Sequence, residues 1–175
     1  MIAVFIIAVL CVAADQITKY LAYANLHPDG SVDVIKGVLR FTYVENRGAA
    51  FGSLSDHRWV FLVFSTLLII ALMGYTVWRH VKKRPMEWSL RISAGLLIGG
   101  GIGNMIDRIA LGYVIDFIDF CAFPDLWMWV FNGADSFVCI GTALLMIWIL
   151  LSDRKKEPEK INEDTESGAE NDEAE

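Results

Sequence analysis

Asp15, Asp107, Asp116 and Asp135 lie inside or at the edge of stretches hydrophobic enough to cross a bilayer. A carboxylate in such a place costs roughly 2.5–3.5 kcal/mol on insertion scales, so each one marks a candidate functional site. Asn46, Asn104 and Asn132 lie close to them in sequence or in the topology below. Two carboxylates sharing a partly desolvated site do not both ionise readily. One then serves as base on a water, while the other, still protonated, polarises a carbonyl and later protonates a leaving group. Carboxamides beside them stabilise an oxyanion or hold the acids in position. The same acids would also suit a small ion- or proton-coupled transporter, which is the alternative function.

Each group has an ordinary explanation as well. Asp15 and Lys19 form an i, i+4 pair, and Lys19 has the length to snorkel outward. Asn132 and Asp135 fit the N-cap and third positions of a helix, where the dipole favours an acid. Asp107 and Arg108 are adjacent and point in different directions. Other chemistries find little support. His27 and His57 fall in an outer loop and His80 on the opposite side, so no Ser-His or Cys-His arrangement forms. Cys11, Cys121 and Cys139 have no metal-ligand spacing and read as small core residues.

The elements that must position these groups follow from hydrophobic runs. Of 175 residues 55% are hydrophobic, and Trp59 to Trp78 runs twenty residues without a charge, enough to cross about 30 Å of hydrocarbon. Met1 to Tyr23, Leu90 to Leu111 and Ala134 to Leu151 are of similar length, which predicts an all-α membrane protein with four transmembrane helices. Residues 153–175 carry ten acids and four bases, which accounts for the whole net charge of −6. The expected organisation is a membrane domain over 1–152 and a disordered acidic tail over 153–175. Nothing in the charge pattern suggests a nucleic-acid partner.

Arg79, Lys82, Lys83, Arg84 and Arg91 crowd one connection, and Arg154, Lys155 and Lys156 follow the last span. Both places should be cytoplasmic, as should both termini, while Ile109 to Asp153 contains no Lys or Arg and suits an outer position. In the outer loop 24–58, Val38 to Val44 alternates as a strand, with Leu39, Phe41 and Tyr43 on one face and Arg40 and Thr42 on the other. This predicts a small extracytoplasmic sheet. The aromatic-rich loop 112–133 reads as a segment lying along the outer interface, and Trp59 and Trp78 as interfacial anchors. At about 1.5 Å per helical residue, Asp15, Asn104, Asp107 and Asp135 all land toward the outer leaflet. Gly95, Gly99 and Gly103 recur every four residues, the small-residue pattern of close helix packing.

Five segments together resemble the lipoprotein signal peptidase (signal peptidase II) family: Asp15-Gln16-Ile17-Thr18-Lys19, Asn46 to Gly52, Gly99 to Arg108, Val114-Ile115-Asp116-Phe117, and Phe131-Asn132-Gly133-Ala134-Asp135. The resemblance implies an aspartyl endopeptidase of the bacterial inner membrane with Asp116 and Asp135 as catalytic residues. Asp15, Lys19, Asn46, Gly48, Asn104, Asp107, Arg108 and Asn132 would support them or position the substrate. It further implies cleavage of diacylglyceryl-modified prolipoproteins, just before the lipid-bearing cysteine, at the outer face. Contact with membrane lipids and inhibition by globomycin-type compounds are expected with it, and no metal and no cofactor.

Overall fold

The computed structural model describes residues 1–48, 58–122 and 129–172. Its elements run α1 (Ile2–Leu26), β1 (Ser31–Ile35), β2 (Leu39–Asn46), α2 (Arg58–Val81), α3 (Trp88–Ala110), β3 (Val114–Phe120), β4 (Val130–Phe131) and α4 (Gly133–Asp172). The protein is a helical membrane protein with a small antiparallel sheet. Among the described residues, three segments are long and apolar enough to cross a bilayer: Ile2–Leu26, Leu62–Val81 and Gly133–Ser152. Their apolar side chains point mostly outward. Ile6, Val9 and Leu10 of α1, Phe64 and Leu67 of α2, and Leu150 and Leu151 of α4 are all largely exposed.

α3 differs, and the reason is its place. It packs against α1, α2 and α4, so it needs small side chains more than apolar ones. The glycine spacing acts as expected. A Cβ on Gly95 would meet Ile7, one on Gly99 would stand 2.6 Å from Cys11 Cβ, and one on Gly103 would stand 2.5 Å from Asp15 Oδ2. Gly100 makes the corresponding approach to α4, where its Cβ would be 2.5 Å from the Ala134 carbonyl. Charge and glycine thus lower the hydropathy of the helix that carries Asn104, Asp107 and Arg108. Inside the bundle, Val4, Ala8, Ile69, Leu90, Ala94 and Ile98 form an apolar core.

The sheet is antiparallel in the order β1-β2-β3-β4. The strand expected over Val38 to Val44 appears as β2, but a register shift between Phe41 and Val44 interrupts the expected alternation, and Phe41 is exposed where Tyr43 is buried. Tyr43 is buried against Ala22, Leu26, Ile115 and Phe117, while Arg40 reaches Asp119 on β3 at 2.6 Å. The loop 112–133 is corrected in part: residues 114–120 and 130–131 are strands of this sheet. Val-Ile-Asp-Phe-Ile is β-branched and aromatic and has β2 beside it to pair with. Phe117 is consequently buried under the sheet rather than anchored in the interface. Phe123, Trp127 and the expected motif residues Ala49 to Gly52 lie outside the described residues.

Two smaller differences concern cysteines and the tail. Cys11 is buried as expected, but Cys139 faces outward from α4. α4 continues as helix past Ser152 to Asp172, over residues whose composition predicts disorder.

Candidate active site

β3 leaves the end of α3 after Leu111 and Gly112, the latter at φ 87°, and pairs back onto β2. That reversal brings Asp116 beside the end of β2, where Val44 is its register partner and Asn46 stands two residues on. Asn46 Nδ2 donates to Asp116 Oδ2 at 2.8 Å, and its Oδ1 accepts the Gly48 amide at 3.1 Å. Gly48 therefore orients Asn46, and Asn46 orients Asp116. Asn132, just before α4, donates to the other Asp116 oxygen at 2.6 Å.

The N-cap reading of Asn132 and Asp135 describes their geometry well. Asp135 N donates to Asn132 Oδ1 at 2.9 Å, and Asn132 N donates back to Asp135 Oδ2 at 3.3 Å. This reciprocal cap satisfies helix-terminal donors and fixes the acid at the positive end of α4. Asn132 is thus the bridge between the two carboxylates, with its Nδ2 on Asp116 and its Oδ1 on the Asp135 amide. Asn104 completes the frame: its Nδ2 reaches Asp135 Oδ1 at 2.7 Å, and its Oδ1 accepts from Asn132 at 3.1 Å. All three asparagine amides donate to a carboxylate, which is bonding that holds the acids in position.

Behind the pair lies a second carboxylate set. Lys19 is buried, 2% exposed, and does not snorkel. Its ammonium is 2.9 Å from Asp15 Oδ2, 2.9 Å from Asp107 Oδ2 and 2.9 Å from Asn104 Oδ1. Three donors meet three acceptors. Asp107 is thus paired with Lys19 across the helix interface, while Arg108, its neighbour in sequence, points in a different direction. Arg108 donates to the Asn104 carbonyl at 3.2 Å, and the first charge acting on its guanidinium is that of Asp135.

Gln16 belongs to this set and is absent from the residues selected on sequence alone. Its Nε2 reaches Asp107 Oδ1 at 2.9 Å and Asp15 Oδ2 at 3.2 Å. The signal was there: an uncharged polar residue one position after Asp15 in an apolar helix.

Each rear acid also holds one backbone amide. Asp15 Oδ1 accepts Ala134 N at 2.8 Å, and Asp107 Oδ2 accepts Ile115 N at 3.2 Å. Ala134 immediately precedes Asp135, and Ile115 immediately precedes Asp116. The rear carboxylates therefore act as two matched tethers, one for each front carboxylate, joined through Lys19.

The electrostatics of the front pair follow from burial. Asp116 is 2% exposed, whereas Asp135 is half-buried. Burial first, and the Asp135 charge second, raise the Asp116 carboxyl to about 7, against the opposing hydrogen bonds from Asn46 and Asn132. An acid held there exchanges its proton near neutral pH, which suits general acid–base chemistry.

Comparison with known proteins gives the family of the chain. The family model described as Signal peptidase (SPase) II matches residues 7–151. A lipoprotein signal peptidase of Halothermothrix orenii is 41% identical over 146 residues, 83% of this chain and 94% of that protein. One from Caldanaerobacter subterraneus subsp. tengcongensis is 44% identical over 140 residues, 80% of this chain and 90% of that protein. A solved bacterial membrane enzyme superposes with a TM-score of 0.76 at 35% identity, covering 87% of this chain and 90% of that one. With four elements converging on a front pair and a rear clamp of acids, and with likeness spanning nearly the whole of these relatives, the chain belongs to the signal peptidase II family of aspartic peptidases.

Proposed function

We propose that the protein removes signal peptides from diacylglyceryl-modified prolipoproteins, cutting before the lipid-bearing cysteine, with Asp116 and Asp135 as the catalytic pair. The observation that carries the assignment is their arrangement. Two carboxylates on separate elements are bridged by Asn132, and one of them titrates near neutrality. In the singly protonated pair, the ionised carboxylate takes a proton from a water as its oxygen attacks the scissile carbonyl. The protonated partner donates to the carbonyl oxygen, and the resulting tetrahedral intermediate collapses as the amine leaves with a proton. The step consumes one water and needs no electron acceptor.

The remaining topology supports this reading. α3 is the fourth span, enclosed by its neighbours, and the basic connection between α2 and α3 lies in the cytoplasm with both termini. Asp116, Asp135 and the sheet then sit at the outer face of the inner membrane. There the lipid of the substrate stays in the leaflet while its peptide enters beside the sheet. Asp15, Lys19, Asn104, Asp107, Asn132, Asn46, Gly48 and Arg108 hold the pair. A transporter would need polar groups continuing to the other face, and the carboxylate network instead runs from the middle of α1 to the last two turns of α3, on the side that meets the sheet.

The test is cleavage of a diacylglyceryl prolipoprotein by purified protein. Asp116→Asn and Asp135→Asn should each lower turnover by a factor of about 10³ or more while both variants insert and purify normally. Globomycin should block the parent. Undiminished cleavage by either variant overturns the pair.

A further inference from the structure

At the end of the bundle away from the carboxylates, α2, the turn 82–87 and α3 enclose a cavity of about 320 Å³. Arg79, His80, Lys83, Arg84 and Arg91 line it, and no acid does. Arg91 lies thirteen residues before Asn104 on α3, about 20 Å away along the helix, so this is a separate place from the active site.

A bias of Lys and Arg toward one membrane side explains their number. It does not explain their convergence on a cavity, or how they are held. Arg91 Nε donates to the Met86 carbonyl at 2.7 Å, and Arg79 donates to the Pro85 carbonyl and to Tyr75 Oη. The Arg84 guanidinium lies 5.2 Å from the Trp78 ring centre and that of Arg91 5.1 Å from the Trp88 ring centre. Rings and carbonyls fix these groups without cancelling their charge. Among the described residues, no ion pair includes any of the four Lys and Arg of this lining. The one acid nearby in sequence, Glu87, accepts instead from Trp148 Nε1 at 2.9 Å. Arg79 Nε is buried without a hydrogen-bond partner.

We propose that this cavity binds a phosphate group, that of an anionic phospholipid such as phosphatidylglycerol. A phosphate is the anion that matches several fixed guanidinium groups, because its oxygens accept paired N–H donors. Lipid is favoured over free phosphate by the surroundings. Trp78 and Trp88 are exposed beside the cavity, where indoles sit at headgroup level, and α2 beyond them presents exposed Leu67, Leu68 and Ile70 to acyl chains. The assignment is independent of which residues cut the substrate.

The full chain, reconstituted in phosphatidylcholine nanodiscs with added phosphatidylglycerol, tests it by native mass spectrometry and by melting temperature. Phosphatidylglycerol should be retained and raise the melting temperature, and phosphatidylcholine alone should do neither. Lys83 and Arg84 are exposed, so the double variant Lys83→Gln/Arg84→Gln should fold, yet weaken retention about tenfold. Lys82→Gln, outside the lining, should retain lipid normally. Cleavage by all these variants in detergent should be unchanged. Equal protection by inorganic phosphate would overturn the lipid as the source and assign the cavity to the free ion. Retention of phosphatidylglycerol no better than phosphatidylcholine, or unaffected by the double variant, would overturn the site.

Discussion

Asp116 shows how two opposed effects set a working range. Burial and the Asp135 charge disfavour its ionised form, while Asn46 and Asn132 favour it, and the balance is about 7. The carboxyl is raised from its ordinary 3.8, so it is protonated below neutral pH and loses its proton as the pH rises through 7. A mechanism that needs one shared proton should therefore lose turnover above pH 7, about tenfold per pH unit. That alkaline limb belongs to the pair rather than to one acid. Asn46→Ala removes a hydrogen bond that favours the ionised form, so the limb should move to higher pH by about one unit. The measurement is turnover against pH for parent and variant. A limb that stays in place, or moves down, contradicts the account of Asn46 as a stabiliser of ionised Asp116.

At the scale of elements, the rear clamp turns helix packing into carboxylate spacing. α1 contributes Asp15, which tethers the start of α4, and α3 contributes Asp107, which tethers β3. Lys19 ties the two acids together, so either tether should matter through position more than through charge at the reacting atoms. Asp15→Asn and Asp107→Asn should each lower turnover about 10–100-fold with little change in KM, because a displacement of about 1 Å is enough for such losses. The double variant should fall short of the product of the two, since both act through one ammonium. Strictly multiplicative losses would argue that the tethers work independently.

The glycines give a sharper contrast at this scale. A methyl on Gly103 would stand 2.5 Å from Asp15 Oδ2 and push the tether aside, so Gly103→Ala should impair both melting temperature and turnover. At Gly74 on α2, nothing lies within 4 Å of the added Cβ. Gly74→Ala should stabilise the protein by roughly 0.5–1 kcal/mol and leave cleavage intact. Thermal melting and a cleavage assay on the two variants separate close packing from helix propensity.

Across the whole molecule, what is legible in the sequence follows from cost. Every polar group in an apolar run is conspicuous, which is why Asp15, Asn104, Asp107, Asp116, Asn132 and Asp135 stand out before any contact is known. Pairing is harder to read. The Lys19–Asp107 bridge crosses two helices 88 positions apart in sequence, and β3 is a strand only because β2 is there to receive it. Gln16 carries the same kind of cost as the asparagines, but the charge of Asp15 beside it dominates that stretch of α1. α3 reads as a span by length, but its composition answers to the three helices around it rather than to lipid.

The same distribution of cost bears on the acidic end of the chain. Asp135 sits in the first turn of α4 and Ser152 seventeen residues later, so the helix carries the chain about 25 Å from Asp135 before residue 153 begins. A charge at that distance in solvent lies beyond about two Debye lengths at physiological salt and contributes little to the titration of Asp116. Truncation after Ser152 should therefore leave turnover, KM and the alkaline limb within about twofold of the full chain at physiological ionic strength. A loss restricted to low salt would reveal a long-range field from the tail. A loss at every salt concentration would mean that the tail holds α4, and with it Asp135, in register against α3.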